Sequence, residues 1–79
     1  MYKNKNTEKL RAVIKKKIAA WNEFSTFTIN GVRNLSRSDL DMLLMCCDWY
    51  EREGNLSELA CLGHEVRSVL GKYQMFEVS

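Results

Sequence analysis

Seventy-nine residues, 46% of them hydrophobic and 28% charged, predict one small globular domain and exclude a chain disordered by composition. No apolar run approaches the roughly 20 residues that span a bilayer, and no apolar signal segment follows the basic opening MYKNKNTEKL, so a cytoplasmic protein with no membrane partner is expected. The net charge of +2 conceals an asymmetry: residues 1–38 hold nine basic and two acidic side chains, residues 39–79 three basic and eight acidic, which predicts complementary faces within the fold or between subunits, or a basic face that meets an anion.

In chain order, residues 1–6 read as a solvated arm. Asn6 or Thr7 can cap a first helix over 7–24. On it Leu10, Val13, Ile14, Ile18 and Trp21 recur at spacings of three and four, an apolar stripe, with Phe24 folding back onto the core. Residues 26–35 set short β-branched and aromatic runs on either side of Asn30-Gly31, a pair that tolerates the positive φ of a type I′ turn. The hairpin so predicted must lie on helices to be stable.

Ser36 opens a second helix over 36–53, with Asp39 at capping-box spacing and Ser38 as a competing cap. Leu40, Leu43, Leu44, Cys47 and Tyr50 form one apolar face of it, and Met42, Met45, Cys46 and Trp49 a second, so burial on several sides is expected. Gly54 ends it at the C′ position. Asn55, with Glu58 three residues on, predicts a third helix over 55–70 carrying Leu59, Leu62, Val66, Val69 and Leu70, its stripe reaching Tyr73. Gly63 inside it costs about 1 kcal/mol relative to Ala and signals a close helix approach or a local break; Gly71 is the expected stop. In the tail, 72–79, Met75, Phe76 and Val78 are spaced to pack back or to dock into a neighbour. The fold class is therefore mainly α: helix, short β-hairpin, helix, then a third helix.

Three cysteines, two of them adjacent, do not form a secreted disulfide framework and fit reduced thiols. Cys46, Cys47, Cys61 and His64 have the atoms of a Cys3His zinc site, but neighbouring helical cysteines diverge by about 100°, and zinc signatures space their cysteines two to four apart. Buried thiols with no metal or other cofactor are the expectation. With one histidine, no glycine-rich loop and no nucleophile elbow, no catalytic residue and no small-molecule substrate are expected.

Two binding surfaces suggest themselves. Lys9, Arg11, Lys15, Lys16 and Lys17 crowd the first helix, and Arg33 and Arg37 extend the basic set toward nucleic acid, although a charge run is more often a solvated face and no helix-turn-helix or RNA-binding signature appears. Met42, Met45 and Trp49, with Phe76 of the tail, are candidates for a protein interface and for self-association, since Met and aromatic residues are enriched there. The opposing reading sandwiches the second helix between the first and third, which makes both its faces core.

The segment TFTINGVRNLSRSDLDMLLMCCDWYERE, Thr26 to Glu53, places Ile29 and Gly31 at a turn and then Ser36, Arg37, Asp39 and Leu40 at a helix start, after Ala20-Trp21 and Phe24. In this third of the chain the sequence resembles small bacteriophage head–tail joining proteins related to phage lambda protein W. The resemblance implies a non-enzymatic virion part whose copies form a ring below the portal and help to close the capsid after DNA packaging. The third helix and tail after Gly54 depart from that pattern. A phage or mobile-element protein that binds a host target is the related alternative, and a small DNA- or RNA-binding regulator is the other.

Overall fold

A computed structural model describes residues 5–22, 26–56 and 62–75. The order of elements is the expected one: helix α1 (Lys5–Ala19), strands β1 (Phe27–Ile29) and β2 (Val32–Leu35), helix α2 (Arg37–Glu53) and helix α3 (His64–Lys72).

Helix α1 begins at Lys5, so Asn6 and Thr7 lie within its first turn rather than before it. Glu8 near its start and Lys16 and Lys17 near its end suit the helix dipole. Leu10 and Ile14 are fully buried, and Val13 and Ile18 pack against the same core. The stripe does not reach Trp21. The Ala20 N–H donates to the Lys17 carbonyl and the Trp21 N–H to the Ile18 carbonyl, tight i to i−3 turns that rotate Trp21 off the stripe and leave it 44% exposed. The expected continuation to residue 24 thus stops at Ala19; Phe24 lies outside the described residues.

Asn30 (φ 48) and Gly31 (φ 83) both take positive φ, as a type I′ turn requires. Ile29 pairs with Val32 and Phe27 with Leu35, so Arg33 and Asn34 together oppose Thr28 alone. This is a β-bulge, with Asn34 at φ 63 absorbing the extra residue. Without it Val32 and Leu35, three apart, would point to opposite faces of the strand. With it Leu35 is fully buried and Val32 packs against the core.

The Ser36 hydroxyl accepts from the Asp39 N–H (3.1 Å) while the Asp39 carboxylate accepts from the Ser36 N–H (2.9 Å), a complete capping box that sets the start of α2. Gly54, left-handed at φ 79, ends the helix and donates its N–H to the Tyr50 carbonyl at 2.8 Å. Helix α2 touches α1, α3 and β2. Leu40, Leu43, Cys46 and Cys47 are its fully buried residues, and Leu44 and Tyr50 pack more loosely against the core.

The third helix departs from expectation. Asn55 and Leu56 are not helical, and the Asn55 amide donates back to the Glu53 carbonyl. Residues 57–61, with Glu58, Leu59 and Cys61, lie outside the described set. Helix α3 starts only at His64, after an extended Gly63 (φ −66, ψ 161) that provides no side-chain cap. A Cβ on Gly63 would meet nothing within 4 Å, so of the two meanings of that glycine the structure takes the break, not the close approach.

Gly71 does not stop α3 either. The helix closes through a Schellman motif further on: the Met75 N–H donates to the Leu70 carbonyl and the Gln74 N–H to the Gly71 carbonyl, both at 3.0 Å, with Gln74 left-handed (φ 59). Leu70 and Met75, the residues this motif brings together, are both buried, so of the two alternatives for the tail Met75 takes packing back. Phe76 and Val78 lie outside the described residues.

Candidate functional site

The apolar circumference of α2 divides into three environments. Cys46 is fully buried, Met42 and Trp49 pack partly against the core, and Met45 is 44% exposed. Of the three candidate interface residues on α2, only Met45 is therefore exposed to a partner. It opens onto a surface groove of about 500 Å3 whose other walls are Arg11, Asp48, Glu51 and Arg52.

Charged side chains order that groove. Arg11 of α1 lies 2.6 Å from an Asp48 carboxylate oxygen and also pairs with Glu51, both on α2. The Glu51 side chain is 17% exposed and that of Arg11 24%, so this pair is largely shielded, whereas Asp48 at 68% is open. The hydrogen bond that Arg11 donates to the Glu51 carboxylate, opposed by burial and aided by the charges of Glu51 and Asp48, raises the Arg11 pKa above its ordinary value. On the same helix the Arg52 guanidinium sits over the Trp49 ring, 5.3 Å from its centroid, a cation–π contact. The Trp49 indole N–H is shielded and meets no acceptor among the described residues.

The basic residues separate as well. Arg11 is engaged across the α1–α2 seam, and Arg37 pairs with Asp41 one turn along α2. Lys15, Lys16 and Lys17 are consecutive and so point about 100° apart; Lys17 is half-buried while Lys15 and Lys16 are exposed. Lys5, Lys9 and Lys16, all exposed, recur at helical spacing on the outer side of α1. Arg33 is exposed on β2. The structure thus gathers part of the expected basic set on one face and withdraws Arg11 and Arg37 from it.

Cys46 and Cys47 lie in the core, where burial pushes their thiols up to about 11 and about 12; the nearby Arg11 partly offsets this for Cys47. His64 is exposed at the start of α3, and Cys61 lies outside the described residues. Among the described residues no group of three His, Cys, Asp or Glu side chains is placed to hold a metal ion. None of the described helices is long and apolar enough to cross a membrane.

Sequence reasoning missed the Arg11–Asp48–Glu51 cluster. Its only local trace is that Asp48 and Glu51 are three apart and so share a face of α2. No family model, no curated protein and no solved structure matches this chain.

Proposed function

We propose that this chain is a non-enzymatic protein–protein interaction module that self-associates and acts by binding alone. Met45 carries the reading. A large apolar side chain, 44% exposed, borders a groove ringed by two arginines and two carboxylates. An apolar centre with a charged rim is the composition of an interface. The charge asymmetry along the chain favours a second copy as the occupant, because the basic first half of one subunit complements the acidic second half of the next.

The most specific form of this proposal is a head–tail joining role in a bacteriophage virion, resting on the resemblance of residues 26–53; such a protein would act in the host cytoplasm and in the virion. Binding and redirecting a host enzyme is the related form. Sedimentation velocity over a range of concentrations tests it. A ring-sized oligomer is expected. A strictly monomeric chain with no affinity for portal or tail components overturns it.

A second reading, a DNA- or RNA-binding regulator, is favoured by the exposed row of Lys5, Lys9 and Lys16 on α1. Titration against duplex DNA at two salt concentrations tests it. Replacing the exposed Lys5, Lys9 and Lys16 by Glu should abolish a phosphate-driven interaction and leave the fold intact. Unchanged binding in that variant removes the reading.

A further inference from the structure

Gln74 occupies the left-handed region at the C′ position of α3, where a Schellman motif favours glycine because a Cβ is crowded there. Three residues earlier Gly71 sits inside the helix, where glycine is disfavoured, with open space around it. The chain therefore keeps a glycine where the helix would prefer alanine, and a glutamine where the cap would prefer glycine. Departures of this kind concentrate where the side chain has a use.

The Gln74 side chain has such a place. It lines a groove of about 570 Å3 together with Asn6 and Lys9 of α1, Asn30 of the hairpin turn, and Lys72 and Tyr73 at the end of α3. Three elements remote in sequence converge here, and Asn30 is itself left-handed. The described lining contains two ammonium groups and three carboxamides, and no carboxylate. Lysines without an acidic neighbour in the wall favour an anion. Carboxamides present a donor beside an acceptor, the pattern that matches the edge of a nucleobase. Tyr73, half-buried against the core, adds an aromatic side chain to the lining, and the volume falls within the range of small-ligand sites.

We propose that this groove binds a nucleotide, with its phosphate held by Lys9 and Lys72 and its base met by the carboxamides of Asn30 and Gln74. The shared chemistry is a nucleotide phosphate, either free or as one unit of a single strand. The site does not involve Met45 and does not depend on self-association.

The test is a set of NMR titrations of the full chain with inorganic phosphate, adenosine monophosphate and a short single-stranded oligodeoxyadenylate. Saturable shifts at the amides of Lys9, Asn30 and Gln74 are expected, with the nucleotide bound more tightly than phosphate. Saturation by the monophosphate identifies a free nucleotide, and saturation by the oligonucleotide alone identifies a strand; both support the site. The double variant Lys9→Gln/Lys72→Gln, altered at two exposed positions, should weaken binding about tenfold or more. Gln74→Gly should raise the melting temperature yet weaken nucleotide binding about three- to tenfold, with phosphate binding unchanged. No saturable shift at these residues with any probe, equal affinity for phosphate and nucleotide, or full affinity in the double lysine variant each overturns the proposal.

Discussion

The Arg11 guanidinium reaches from α1 to Asp48 on α2, 2.6 Å from its carboxylate, and pairs with Glu51 one turn further along. This contact joins the basic first half of the chain to its acidic second half, so part of the charge asymmetry is satisfied inside one subunit. Because Arg11 and Glu51 are both largely shielded, removal of either leaves a poorly solvated charge. Arg11→Ala is therefore expected to cost about 1–2 kcal/mol. Asp48→Asn, at an open position, should cost less than about 1 kcal/mol. Urea unfolding of Arg11→Ala, Glu51→Ala and the double variant checks this. A favourable coupling between the two residues is expected, and strictly additive losses would refute it.

The misplaced glycine of α3 leads to a second expectation. Gly71→Ala meets open space and removes a helix-interior glycine, so it should stabilise the fold by about 1 kcal/mol. Gln74→Gly relieves a left-handed non-glycine residue and should add a gain of similar size, about 1 kcal/mol. In a domain this small each change corresponds to a rise in melting temperature of about 4–8 °C. A calorimetric scan that shows no rise for Gly71→Ala would mean that the helical interior does not extend to that position.

What could be read from the sequence was chemistry confined to a few neighbouring residues. Asn30-Gly31 could only turn, Ser36 with Asp39 could close a capping box without any distant partner, and Gly54 could end α2 alone. The errors arose where a helical pattern in the sequence runs past the point at which the backbone leaves the helix. Asn55 and Glu58 have the spacing of a helix start, but Leu56 is not helical, Gly63 is extended and α3 runs only from His64. Trp21 has the spacing of the α1 stripe, but the last turns tighten before the helix reaches it. The site was less legible than the fold. On a helix apolar around its whole circumference, periodicity cannot tell which residue faces outward, and the separation of Met45 from Met42 and Trp49 depends on where α1 and α3 dock. Arg11 read as part of a basic patch because its partners lie 37 and 40 positions away.

The Ser36 cap is worth testing by itself, because it fixes where the hairpin ends and α2 begins. Ser36→Ala removes the acceptor of the Asp39 N–H and should cost about 1 kcal/mol, while Ser36→Asp retains an acceptor and should cost much less. Chemical denaturation with an unchanged m-value checks this. A loss for Ser36→Asp equal to that for Ser36→Ala would show that the cap bond is not the source of stability.

The core thiols predict a pH dependence with a definite sign. Cys46 and Cys47 hold their protons in the folded chain up to about 11 and about 12, against an ordinary value of 9.0. The unfolded chain releases those protons first. The stability they contribute is thus fully present below pH 9 and is lost as the pH rises through the folded values. In a Cys61→Ser background, which leaves only the two core thiols, a thiol-specific reagent at pH 8 should react slowly with the native protein and rapidly in denaturant. Fast native reaction would place at least one thiol at the surface.

Met45 offers the most direct discrimination between stability and association. It is 44% exposed, so Met45→Ser should change the unfolding free energy by less than about 0.5 kcal/mol. If Met45 is the centre of contact between copies, the same substitution should shift the sedimentation profile toward monomer. Added salt should weaken what remains, because screening acts on the charged rim formed by Asp48 and Arg52. Leu43→Ser, at a fully buried position of the same helix, provides the contrast: it should destabilise the fold by several kcal/mol, about 2–5, through a lost apolar side chain and a buried hydroxyl. A Met45→Ser chain that associates as strongly as the parent would remove this face from the interface and leave the lysine row of α1 as the surface to examine.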